Sequence, residues 1–83
     1  MIKKSSGHEN SMSFKVNDKV FWKWMGREIH GNVQEVFFGP ITKEIKGKFI
    51  KRNGSVEKPA YLVKSEAGNF AVKLETELHR PIQ

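Results

Sequence analysis

The chain has no cysteine among its 83 residues. That excludes a disulfide framework, a thiolate nucleophile and any zinc site built on Cys. Small secreted domains usually carry such staples, so a reducing cytoplasm is the expected compartment. No apolar run approaches the roughly 20 residues of a membrane span. None of signal-peptide length follows the opening Met1-Ile2-Lys3-Lys4 either, so a soluble protein with no membrane partner is expected. Acidic residues are scarce too: 9 Asp and Glu stand against 15 Lys and Arg, a formal charge of +6 with a pI near 9.8. That balance suits polyanionic partners such as DNA, RNA or acidic protein tails. It equally serves plain solubility.

Catalytic patterns are missing as well. His30 and His79 stand alone in the sequence, so no metal site is expected. There is no Gly-rich phosphate loop leading into a helix. The scattered serines form no nucleophile–base pattern. Glu75 and Glu77 sit two apart in a helical turn and so face different ways. The expectation is a non-enzymatic protein without a cofactor.

What is present reads as one small domain, whose chain hides only about 60% of the surface it exposes unfolded. Residues 1–13 are polar and aperiodic and read as a disordered tail. Met12 offers an alternative natural start, with residues 1–11 then a non-native leader. Residues 14–83 read as the folded domain. Val20-Phe21-Trp22-Lys23-Trp24 is rich in strand formers and alternates, with Val20, Trp22 and Trp24 on one face and Lys19, Phe21 and Lys23 on the other. Gly26-Arg27 predicts a turn. A second strand spans Glu28 to about Phe38, where Gly31 marks a bend or close backbone approach and Val33/Val36 break alternation as a bulge does. A third strand is predicted from about Lys43 to Lys51, followed by a turn at Arg52-Asn53-Gly54-Ser55. Ala60–Ser65 and Phe70–Lys73 are strands four and five, joined by Ala67-Gly68-Asn69. Leu74–Leu78 holds one helical turn, and Pro81 ends it. Short strands with frequent turns and almost no helix predict an all-β fold, a small five-stranded barrel with a short terminal helical turn.

From Phe14 to about Arg80 the chain resembles the bacterial family of hypervirulence-associated protein TUDOR domains. The resemblance rests on Phe14-Lys15-Val16-Asn17-Asp18-Lys19-Val20 running into Trp22-Lys23-Trp24, then Gly31-Asn32-Val33 and Ile45-Lys46-Gly47. It continues through Arg52-Asn53-Gly54-Ser55, Pro59-Ala60-Tyr61-Leu62-Val63 and Glu77-Leu78, all in family order. It implies a five-stranded Tudor/SH3-like barrel, in agreement with the strand pattern. It implies little about chemistry, because the family's name records an association and a fold. Family members often have a polar residue where Phe21 stands.

Two surfaces are candidates. For nucleic acid, Lys43, Lys46, Lys48, Lys51 and Arg52 cluster along the third strand and its turn, with Lys19, Lys23 and Arg27 on the first hairpin. Lysines neutralise phosphates by counterion release, and an aromatic such as Phe21 stacks on unpaired bases. Alternating lysines also serve simply to solvate an edge strand. For a peptide partner, Trp24, Phe38 and Tyr61 are candidates for a Tudor-like aromatic cage. The competing reading of Trp22, Trp24 and Tyr61 is core packing in a domain short of apolar mass. An exposed strand edge offers a further route to a protein partner.

Overall fold

The computed structural model describes residues 14–82, and the tail expected over 1–13 lies outside the described residues. Six strands follow in order: β1 Lys19–Trp24, β2 Arg27–Phe37, β3 Pro40–Ile45, β4 Lys48–Asn53, β5 Ala60–Ser65 and β6 Phe70–Leu74. A 3₁₀ turn, Glu75–Glu77, comes after β6. The fold is all-β with a short terminal helical turn, as the sequence pattern predicts. No helix among the described residues is long and apolar enough to cross a membrane.

Four antiparallel strands form a curled, half-barrel sheet in the order β1-β2-β5-β6, and β3 and β4 make a separate hairpin. The chain returns after the 3₁₀ turn to grip the open edge of β1. Phe21 and His79 exchange both backbone hydrogen bonds, each 2.9 Å. Curvature comes from β2. A Cβ at Gly31 would lie 2.0 Å from the Lys64 carbonyl oxygen, so only glycine lets β2 cross β5 this closely. The register of β2 against β5 shifts between Val33 and Glu35, the bulge that the broken alternation predicts.

The core is built from Phe14, Val20, Trp22, Val33, Tyr61, Val63 and Leu78. Tyr61 is fully buried at its centre, with the Phe14 ring edge-on at 5.5 Å. Its hydroxyl accepts the Phe14 backbone N–H and donates to Glu75, both at 3.1 Å. Every polar atom of this phenol therefore has a use inside the fold. Burial, together with the neighbouring Glu75 charge, outweighs the Phe14 bond and pushes its pKa up to about 12. Expected as a cage aromatic, Tyr61 is instead a core residue with no surface to offer a ligand.

Three turns depart from the sequence reading. The segment predicted as one strand from Lys43 to Lys51 is a hairpin, because Lys46 (φ 52°) and Gly47 (φ 81°) form a two-residue turn with both φ positive. The first hairpin uses the same device at Met25 (φ 50°) and Gly26 (φ 79°), one residue earlier than Gly26-Arg27. The Asn53-Gly54 pair is no turn: β4 runs to Asn53, and the chain turns at Ser55–Lys58, where Ser55 and Lys58 share two hydrogen bonds of 3.0 Å. Gly54 is needed for space, since a Cβ there would lie 2.7 Å from the Ala60 nitrogen.

β5 is apolar at Ala60, Tyr61, Leu62 and Val63 in succession, the pattern of a strand covered on both faces. Tyr61 and Val63 point into the barrel. Leu62 is paired with Val72 and Glu35, on the opposite face. The β3–β4 hairpin leans chiefly against β6.

Candidate functional site

Pairing across the hairpin decides which of its side chains share a face. Ile45 lies opposite Lys48, Lys43 opposite Ile50, and Ile41 opposite Arg52, so these six turn towards the sheet. Thr42, Glu44, Phe49 and Lys51 turn away. A single strand would have put Ile45 with Phe49 and Lys48 with Lys46; the turn at Lys46-Gly47 reverses that grouping.

The basic cluster expected on this segment is therefore split by task. Lys43 pairs with Glu35 at 3.1 Å and sits 5.4 Å from the Phe37 ring centre, fastening β3 to β2. Arg52 reaches Glu77 at 2.8 Å and donates to the Val72 carbonyl at 3.2 Å, fastening β4 to β6. Burial alone would raise the Glu77 pKa. The Leu74 backbone N–H and the Arg52 guanidinium outweigh it and hold the carboxyl below its ordinary value. Lys46, in the turn, donates to Asn69 at 2.7 Å. Lys48 and Lys51 have no ion pair or hydrogen bond to their side chains among the described residues.

The first hairpin divides in the same way. Lys19, Phe21 and Lys23 lie on its outer face. There Phe21 is stacked between His30 (5.2 Å) and His79 (5.1 Å), and Lys23 stands 4.0 Å from Glu28. Phe21 already has ring neighbours on both sides. Trp24 and Arg27 pair directly at the opposite end, on the other face of β1 from Lys19 and Lys23. The candidate cations thus form two groups on opposite sides of β1, and the structure does not bring them into one patch.

Between β1 and the hairpin, with β6 as its floor, runs an open groove of roughly 410 Å³. Trp22, Trp24 and Ala71 form its barrel side. Ile45 and Ile50 form its hairpin side, and Phe70 closes one end. Lys46, Lys48, Arg52 and Lys73 rim it, and no Asp or Glu lines it. Trp24 is 57% exposed and Phe70 42%. Lys64 Nζ sits 5.6 Å from the Phe70 ring centre, adding a further cation to that end. Phe38 is exposed in the link between β2 and β3 and lies outside this lining. Phe70 and Lys73 were not singled out by the sequence reading. Their place in the groove depends on the sheet curling until residues of its two edge strands, β1 and β6, line one cleft with the hairpin, a long-range arrangement that strand alternation does not encode.

Among the described residues no cluster of three His, Asp or Glu is placed to hold a metal ion. Glu75 and Glu77 are both engaged in structural bonds, to Tyr61 and to Arg52 respectively.

The family model described as "Hypervirulence associated proteins TUDOR domain" matches residues 18–78. That span runs from just before β1 to Leu78 and so takes in the barrel and the hairpin. Searches of curated proteins and of solved structures gave no match.

Proposed function

As the chain belongs to the hypervirulence-associated protein TUDOR domain family, whose fold is that of small binding modules, we propose that it is a non-enzymatic module for nucleic acid. The observation that carries this reading is the charge of the groove: Lys46, Lys48, Arg52 and Lys73 line it without a single carboxylate. Cations held close together round an apolar floor attract a polyanion and release its counterions. Arg52 is tied to Glu77, so Lys46, Lys48, Lys73 and the adjacent Arg27 are the residues assigned to phosphates. A methyl-ammonium cage is the weaker reading. Aromatic faces attract cations, but here the exposed indole is surrounded by cations that repel one.

The test is a fluorescence-anisotropy titration with a single-stranded oligonucleotide of about ten nucleotides. Four phosphate contacts on a single strand predict an affinity loss of about 50-fold between about 50 and 200 mM salt. No binding at the lower salt, or binding indifferent to salt, would contradict the proposal.

A further inference from the structure

Trp22 and Trp24 share one face of one strand, yet their fates differ. Trp22 is 4% exposed and part of the core, whereas Trp24 is more than half exposed. The row of inward side chains on β1 simply outruns the core, and the last indole emerges into the groove. Most other rings have partners: Phe14 meets Tyr61, Phe21 lies between two imidazoles, Phe37 sits under Lys43 and Phe70 under Lys64. Trp24 has no ring, cation or hydrogen-bond partner among the described residues. Its backbone is nevertheless fixed, because it closes the two-residue turn opposite Arg27. A large apolar surface is thus held in place and left uncovered, with cations around it.

We propose that Trp24 is a stacking platform for one unpaired base, so that the module's ligand is single-stranded rather than duplex nucleic acid. The inference rests on the nucleic-acid reading above and adds the strandedness and the residue that sets it. A base laid on the indole puts its flanking phosphates beside the basic rim of Lys46, Lys48 and Lys73, with Arg27 next to the indole as its cross-strand partner. Phe70 forms the far wall. Bases inside a duplex are stacked on each other and present no free face to the indole, whereas an unpaired base does. The groove volume falls within the roughly 300–1,000 Å³ of small-ligand clefts, enough for a base but not for a helix.

The experiment compares a thymidine oligonucleotide with an abasic oligonucleotide of equal length, which has the same phosphates and no bases. Duplex DNA and poly-glutamate serve as further probes, all at low salt. The wild-type chain is expected to bind the thymidine strand about 5- to 150-fold more tightly than the abasic strand, the worth of one stacked base. Trp24→Ala is expected to abolish that difference while keeping the salt dependence. Phe70→Ala, a second exposed position, is expected to reduce it. Binding of none of the nucleic acids removes the functional reading itself. Equal binding of thymidine and abasic strands overturns the stacking inference while leaving that reading in place, as does a base preference that survives in Trp24→Ala. Duplex or poly-glutamate binding as tight as the thymidine strand also overturns it.

Discussion

In the barrel, Val20, Val33, Tyr61 and Val63 are fully buried, and the one phenol inside has its hydrogen bonds made. In the hairpin laid against it, no residue of β3 or β4 is buried, and the fastenings are side-chain polar contacts: Lys43 to Glu35, Arg52 to Glu77 and Val72, Lys46 to Asn69. Apolar packing is insensitive to salt, whereas half-exposed ion pairs are screened by it. The barrel therefore holds itself together by packing, whereas the hairpin is held to it in part by contacts that salt screens. The groove lies on the seam between the two. Lys46, Lys48 and Lys73, which form no ion pair among the described residues, rim it.

The strongest way to break the barrel side of this comparison is Gly31→Ala. With the Lys64 carbonyl 2.0 Å from the new Cβ, β2 and β5 must separate. The expected loss is about 3 kcal/mol or more, a large share of a small domain's stability. Chemical denaturation followed by tryptophan fluorescence reads it. Tyr61→Phe comes next. It leaves the buried Glu75 carboxylate without its donor and the Phe14 N–H without its acceptor, at a cost of about 1–3 kcal/mol in the same assay.

On the hairpin side, Arg52→Ala is expected to cost only about 1 kcal/mol globally. Amide exchange should nevertheless quicken across 40–53 while β1, β2 and β5 keep their protection. Uniform acceleration over the whole domain would show that the hairpin and barrel are one cooperative unit. The remaining effects are those of pH. Tyr61 has an ordinary phenol value of 10.0 and a folded value of about 12. Its contribution is complete below pH 10 and is lost as pH rises from there through the folded value. Glu77 is shifted the other way. Its contribution is complete above the ordinary 4.5 and is lost as pH falls through its lower folded value. Thermal melts across pH are expected to fall at both ends. Tyr61→Phe should remove the alkaline limb, and Glu77→Gln should remove part of the acidic one.

Much of the barrel was legible in the sequence because its signals are local. The alternation of Val20-Phe21-Trp22-Lys23-Trp24, the glycine at 31 and the irregular spacing of Val33 and Val36 each act within a few residues. The hairpin was not, for one physical reason. Lys46-Gly47 takes positive φ at a lysine, and lysine carries no preference that announces it. Reading that segment as continuous strand put Lys48 and Ile45 on opposite faces, whereas the turn puts them together. The groove was still less legible. Trp24 and Lys48 were visible as candidates in separate hypotheses, and only the fold places them on one surface. Tyr61 carries the same lesson reversed: a candidate for an aromatic cage or for core packing, it lies at the centre because long-range bonds to Phe14 and Glu75 satisfy its hydroxyl.

The central claim is that the seam between barrel and hairpin, and not the outer face of β1, is the binding surface. Amide and indole NMR shifts during titration with a thymidine oligonucleotide test it most directly. The account predicts that the Trp24 indole and the amides of 46–48 and 70–73 move, while Phe21, His30 and His79 stay. Shifts concentrated at Phe21, His30, His79 and Lys19, with the Trp24 indole unmoved, would contradict it.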